Sequence, residues 1–336
     1  MNDNFIIKTI RLNNFRCHKD YRLDCNKGTT LILGENGCGK TSVLEAIYIA
    51  LMGKSFRATD KDILMRGEEF YKIEVARSDG EAIRVIFNGK KSFLVKDKKT
   101  ARLPKREKYP VVLFLPEDLH LVASSPTRKR DYFDGVISQL SEGYNYTLLK
   151  YNKALKQRNE LLKQDTITED SVFSWNILLA KYGISIRSMR EKLIREINSS
   201  LTKTYQSIAE NSDEVKLDYI SYIGDIDESS YLKLLGLDFE RDRLTGHTNF
   251  GIHRDNFEFI FNGTEANGSA SRGEVRSIII ALKFIEAAML TSSLGKKPVV
   301  LLDDVFSELD EMRQKCLVKN FNDHQVILTS VDGVNI

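Results

Sequence analysis

The octapeptide Gly34-Glu35-Asn36-Gly37-Cys38-Gly39-Lys40-Thr41 fits the pattern G-x-x-x-x-G-K-[ST], and it constrains the fold more than any other stretch. Such a loop works only where a buried strand delivers the chain to a helix N-terminus, because backbone N–H groups there must wrap phosphate oxygens at the positive end of a helix dipole. Both flanks comply. The run TTLILG before it reads as a strand, and SVLEAIYIAL after it reads as a helix. Gly34, Gly37 and Gly39 let the backbone approach phosphate, and Asn36, Cys38 and Ser42 complete the loop. Lys40 is placed to reach the β and γ oxygens, and Thr41 to offer a hydroxyl to Mg²⁺.

A Mg²⁺-nucleotide site also needs a carboxylate at the end of a neighbouring buried strand. VVLLDD supplies it, with Asp303 after four apolar residues as the metal-side carboxylate and Asp304 placed to polarise an attacking water. Asp304 is one methylene shorter than a glutamate at the same place would be, which predicts slow hydrolysis.

A second helix start is unusual. Ser271 and Glu274 stand at capping-box spacing, and Val275, Ile278, Ile279, Leu282, Ile285 and Met289 follow at helical spacing. Capping explains Ser271 and Glu274 but not Gly273, since glycine in a helix costs about 1 kcal/mol relative to alanine.

Composition narrows the class. The 336 residues are 42% hydrophobic and 29% charged with a net charge of only +3, so affinity for nucleic acid has to come from local clusters. Cys17, Cys25, Cys38 and Cys316 form no C-x-x-C pair, which fits a reducing cytoplasm. The N-terminus lacks a leader pattern and no apolar run approaches membrane-spanning length.

Between about Lys72 and Lys96 the alternation predicts a small antiparallel meander, and VVLFLP predicts another buried strand. From about Thr127 to Glu210 the pattern turns helical, with Ile186, Met189, Leu193, Ile197, Leu201, Tyr205 and Ile208 on one amphipathic face. The fold expected is therefore α/β, a phosphate-loop ATPase head of mixed sheet, flanking helices and meander, with an inserted helical lobe. The expected division is 1–117, 118–246 and 247–336, the first and last forming the ATPase lobe.

The order of a phosphate loop, Ser271-Arg272-Gly273-Glu274, the strand ending at Asp303, and Ser307-Glu308-Leu309-Asp310 resembles the ABC-type ATPases and their SMC-like branch. GKSFRATDKDIL, FLPEDLHLVASSPTRKRDYFD, GIHRDNFEF, SRGEVR and LLDDVFSELD narrow the likeness to the RecF family of bacterial DNA-repair ATPases. The insertion is too short for the coiled coils of SMC proteins and suits a compact lobe.

The resemblance implies ATP with Mg²⁺ as cofactors and an ATP-bound homodimer in which Ser271 and Gly273 of one subunit approach the γ-phosphate held by Lys40 of the other. Ser271, Arg272, Gly273 and Asp310 become dimer contacts, with ATP as the glue. It places Arg16, Arg57 and Glu117 near the nucleotide, Glu117 where ABC proteins carry a glutamine. It implies binding to double-stranded DNA without sequence specificity and work with RecR and RecO that helps load RecA. Candidate DNA contacts are Lys90, Lys91, Lys98, Lys99, Arg128, Lys129 and Arg130, although such clusters are more often solvated faces.

Two departures stand out. Thr329 and Ser330 occupy the region of the transporter switch histidine, and the chain stops at Ile336 where family members continue with a further strand. Three other readings share the phosphate loop: a RecF-like paralogue in another DNA-surveillance or phage-defence system, a transporter subunit, and a small-molecule kinase. The last explains neither SRGE nor SELD.

Overall fold

The computed structural model describes residues 5–331. In chain order the elements begin with β1 (Ile7–Phe15), β2 (His18–Asp24), β3 (Thr29–Leu33), α1 (Lys40–Met52) and α2 (Asp60–Ile63). Next come β4 (Tyr71–Arg77), β5 (Ala82–Phe87), β6 (Lys91–Val95), β7 (Lys98–Thr100) and β8 (Val111–Phe114). The helical stretch holds α3 (Pro126–Leu140), α4 (Tyr144–Leu162), α5 (Glu169–Asn198) and α6 (Leu201–Ala209). It is followed by β9 (Val215–Ile220), α7 (Glu228–Leu237), α8 (Phe239–Thr245), β10 (Asn256–Phe261), β11 (Thr264–Glu265) and α9 (Ala266–Ser269). The chain closes with α10 (Arg272–Leu294), β12 (Val299–Asp303), α11 (Glu311–Asn320) and β13 (Val326–Ser330).

These elements group into two compact units, residues up to 119 with those from 286 onward, and residues 120–285. The first unit holds two sheets. One is antiparallel, in the order β2-β1-β4-β5-β6-β7, and contains the expected meander; the other is parallel, in the order β3-β13-β12-β8. Helix α1 packs against strands of both sheets, and ten of its residues, Lys40 and Glu45 among them, are buried. A helix apolar nearly all round has to be enclosed in this way, which fixes the helix N-terminus, and the loop before it, as a rigid feature.

In the second unit β10 pairs with β9 and β11 in a sheet of its own. Residues 247–285, expected with the C-terminal ATPase segment, therefore pack with the helical part. The reason lies in buried charge: Arg190 on α5, 1% exposed at its side chain, pairs with Asp134 of α3 and with Asp255 just before β10, both at 2.9 Å. The single amphipathic helix expected through Ile208 is two, because the chain turns at Ser199–Ser200 between α5 and α6. Helix α10 is apolar and long enough to cross a membrane, but 61% of its apolar window is buried inside the protein, the mark of a core helix.

Candidate functional site

Backbone conformation builds the phosphate loop. Gly37 and Gly39 have φ of 84° and 100°, the left-handed region that L side chains avoid. At Gly39 a Cβ would also lie 2.4 Å from Cys17 Sγ and 2.5 Å from His18 Nε2. The β1–β2 turn thus clasps the loop, with the Cys17 thiol donating to the Cys38 carbonyl at 3.7 Å and His18 Nε2 3.1 Å from the Gly39 carbonyl. A Cβ at Gly34 would fall 2.6 Å from Cys38 Sγ, so the side chain of Cys38 fills the space that Gly34 leaves open.

Lys40 is almost enclosed and donates through Nζ to the Gly34 and Glu35 carbonyls at 2.5 and 3.0 Å. Its ammonium is therefore held over the loop. Thr41 Oγ1 donates to Asp303 Oδ1 at 2.8 Å across 262 residues of sequence. The strand bearing Asp303 is not next to β3; β13 lies between them. That intervening strand contributes Thr329, whose hydroxyl donates to Asp303 Oδ1 at 2.9 Å and accepts from the Asp304 backbone N–H at 2.9 Å. Burial raises the Asp303 carboxyl above its ordinary value, against the hydrogen bonds from Thr41 and Thr329.

Asp304 sits at φ 49°, a left-handed turn that re-aims its carboxylate at the end of β12. Its Oδ1 is buried without a hydrogen-bond partner among the described residues. With Lys40, Thr41 and Asp303 it lines a cleft of about 710 Å³ that also includes Arg16, Asn36, Gly37, Gly39, Ser42 and Arg57. This donor set fits a nucleotide with Mg²⁺: one hydroxyl, a buried carboxylate and a buried oxygen lacking a partner suit a hard cation that keeps waters and shares phosphate oxygens. Among the described residues there is no cluster of three or more His, Cys, Asp or Glu of the kind that would hold a metal without substrate.

Glu45 was not among the residues singled out from sequence. It is fully buried on α1 and takes both ends of two guanidinium forks: Arg16 at 3.0 and 3.0 Å and Arg57 at 3.0 and 3.1 Å, with Ser55 Oγ at 2.6 Å. Burial alone would raise its carboxyl, but the hydrogen bonds from Arg16, Ser55 and Arg57 hold it below the ordinary carboxylate value. A lone acid inside the apolar run SVLEAIYIAL was the available signal, since a buried carboxylate needs a cationic partner.

Other expected residues fall elsewhere. Glu117 is exposed, at the start of the 3₁₀ segment Pro116–Ala123, and does not line the cleft. Ser271 and Glu274 form the capping box, with the Ser271 N–H donating to Glu274 Oε2 at 2.6 Å and the Glu274 N–H to Ser271 Oγ at 3.3 Å. Arg272 is exposed and Gly273 is in helical conformation, so Gly273 is not there to permit a positive φ. Asp310 caps α11, accepting from the Arg313 N–H at 2.9 Å.

Of the candidate DNA contacts, Lys90, Lys98 and Lys99 are exposed. Lys91 is drawn into an ion pair with Asp60 at 2.9 Å. Lys129, expected to face DNA, is instead enclosed: it is 4% exposed, and burial lowers its ammonium pKa against the nearby charges of Glu265 and Glu258. Arg130 is likewise engaged internally, donating to the Asp255 carbonyl at 2.7 Å and to Thr127 Oγ1 at 3.0 Å. Arg128 is partly buried in the first turn of α3. The helix periodicity of α3 turns part of TRKR inward, which a count of charges does not register.

Comparison with known proteins extends this geometry. An AAA domain model matches residues 9–233. The DNA replication and repair protein RecF of Clostridium tetani is 33% identical over 348 residues, covering 98% of this chain and 94% of the relative. The RecF of Clostridium novyi is 32% identical, with 98% and 94% covered. A solved structure of the recombination mediator protein RecF-ATP in the RecFOR pathway superposes with a TM-score of 0.88 at 29% identity, over 99% of this chain and 93% of that one. An Smc head bound to the C-winged helix domain of ScpA matches with a TM-score of 0.55 at 13% identity and shows the fold alone.

Proposed function

The chain belongs to the RecF family of DNA replication and repair proteins, an ATP-binding ATPase with the SMC-like ABC head fold, and from that premise we propose that it is an ATP-controlled clamp on duplex DNA. The observation that carries the reading is the cleft in which Lys40, the Thr41–Asp303 pair and the Asp304 oxygen, without a partner among the described residues, converge on one volume.

In this mechanism the loop N–H groups and Lys40 bind the phosphates, and Arg16 and Arg57, braced by Glu45, add positive charge at the cleft wall. Thr41 and Asp303 would hold Mg²⁺, which would supply charge neutralisation of the phosphate oxygens. Asp304 orients the attacking water and accepts its proton; its short side chain keeps turnover slow, and DNA raises it. Ser271 and Gly273 of a second copy complete the site against the γ-phosphate, where charge-assisted hydrogen bonds to phosphate act as glue that hydrolysis releases. A side chain at Gly273 would stand in the way of that approach. Duplex DNA is held through its backbone, without base reading and with strong salt dependence, near single-strand gaps. There the clamp works with RecR and RecO to help load RecA in recombinational repair and the SOS response.

The test is Ser271→Arg. The variant is expected to bind ATP as a monomer with unchanged affinity and to lose ATP-dependent dimers on a sizing column. Undiminished dimers would sink the proposal.

A further inference from the structure

A second cleft of about 310 Å³ is lined by Phe5, Arg77, Lys96, Arg106, Glu107, Lys108, Tyr109 and Lys296. It lies at the opposite end of the strands from the phosphate loop. Arg16, just after β1, lines the nucleotide cleft, whereas Phe5, just before it, lines this one. A strand of this length rises roughly 30 Å. Tyr109 and Lys296 likewise precede β8 and β12, whose far end carries Asp303.

Five cations line this cleft with one acid, Glu107, and a second acid, Asp79, pairs with Arg77 from outside the lining. Glu107 is almost buried, and its ion pairs are loose: 3.4 Å to Arg77, 3.6 Å to Lys96 and 3.5 Å to Arg106. Arg77 Nε is buried with no hydrogen-bond partner among the described residues. Burial lowers the ammonium pKa of Lys108, and the charges of Lys54 and Lys105 lower it further. The positive charge thus exceeds the acids that face it, and it is open to water through Lys96, Arg106 and Lys108.

The aromatic residues hold the cations and do not offer a stacking face. Phe5 and Tyr109 stack on each other with centroids 3.9 Å apart. The Arg77 guanidinium lies 4.9 Å from the Phe5 centroid and the Lys296 ammonium 5.7 Å from that of Tyr109. A base or an aromatic side chain therefore has no open ring to lie on, and recognition rests on charge. Cations converging from separate segments suit a tetrahedral group with several acceptor oxygens better than a two-oxygen carboxylate.

We propose that this pocket binds phosphate, as a second phosphate site of the ATPase unit that works independently of the nucleotide cleft. The phosphate comes either from DNA, as backbone or strand end, or from a free polyphosphate. Calorimetric titration of inorganic pyrophosphate into the full chain carrying Lys40→Ala, which disables the phosphate loop, reads this pocket alone. Lys96→Ala and Arg106→Ala on that background are expected to weaken binding roughly tenfold each. Glu107→Gln is expected to tighten it about threefold by removing the opposing charge. Absence of binding, a weaker Glu107→Gln, or equal affinity for a polyglutamate peptide would each overturn the proposal.

The source is decided with Lys40 intact, by comparing a 5′-phosphorylated duplex, the same duplex with hydroxyl ends, and pyrophosphate as competitor. Loss of duplex affinity in Lys96→Ala and Arg106→Ala assigns the phosphate to DNA, and dependence on the 5′-phosphate assigns it to the strand end. Unchanged duplex affinity with weakened pyrophosphate binding assigns it to a free polyphosphate.

Discussion

Each unit buries charge, but one leaves a partner facing water and the other encloses both. In the ATPase unit the buried partner is the carboxylate: Glu45 is enclosed while Arg16 and Arg57 keep 24% and 38% of their side chains exposed at the cleft. In the second unit both partners are buried. Arg158 pairs with Asp242, both fully enclosed, and also donates to Asn176 and Thr248. Arg190 is held by Asp134 and Asp255. A buried acid that presents arginines outward makes a binding wall, whereas a buried arginine ringed by acids ties helices and strands together and presents nothing. The same residue types thus build a site in one place and a framework in the other, according to whether a partner is left facing water.

Breaking the framework should have the largest effect. Arg190→Met leaves Asp134 and Asp255 buried without their cation and should cost about 3–5 kcal/mol, read as a lower urea midpoint, while ATP affinity per folded molecule stays unchanged. A loss of ATP affinity without a loss of stability would erase the distinction between the two clusters.

Acid should find the framework first. His253 is held between Tyr151, whose hydroxyl is 2.9 Å from Nδ1, and the Thr248 carbonyl, 3.1 Å from Nε2, and burial lowers its pKa to about 4. A histidine whose folded-state pKa is depressed gives stability that is whole above its unfolded value and is lost as pH falls through the folded one. The second unit should lose roughly 3 kcal/mol between neutral pH and pH 4, and His253→Asn should flatten that slope in pH-dependent unfolding. Glu45, with its carboxyl held low, should weaken the ATPase unit only at still lower pH.

At the binding wall the readout changes from stability to kinetics. Glu45→Gln frees Arg16 and Arg57 from their fork and should lower kcat/KM for ATP roughly tenfold, with a smaller change in urea midpoint than Arg190→Met gives. Restoring the acid as Glu45→Asp should recover part of the rate. A purely structural Glu45 would move the midpoint and leave the kinetics of the folded fraction alone.

The smallest effects are expected at the surface. Lys98→Glu with Lys99→Glu should reduce the salt dependence of duplex binding by one or two charges, measured as the slope of affinity against salt. Lys129→Met should leave that slope unchanged, because Lys129 is enclosed in the second unit.

Much of the nucleotide site was legible because its chemistry is local. The glycines, Lys40 and Thr41 act through a backbone conformation written in eight consecutive residues, and the strands on either side announce themselves by apolar runs. The meander, the strand ending at Asp303 and the capping box at Ser271 were readable for the same reason. Glu45 was not, because its role depends on two arginines brought to it by separate turns. The places of Arg130 and Lys129 are not legible in a basic run, because a helix face decides whether such a residue meets water or turns inward.

By itself, then, the sequence determined the phosphate loop, its flanking strand and helix, the two carboxylates of β12 and the helix start around Gly273. All of these are set by near neighbours in the chain. Only the tertiary structure decided that β13 lies between β3 and β12 and lends Thr329 to the carboxylates. It also decided that Glu45 braces a cationic wall, that residues 247–285 pack with the helical unit, and that Arg77, Lys96, Arg106, Lys108 and Lys296 share one pocket. Those outcomes arise from polar and charged groups finding partners tens to hundreds of residues away, and the free energy of burying a charge depends on where its partner ends up, which no local pattern records.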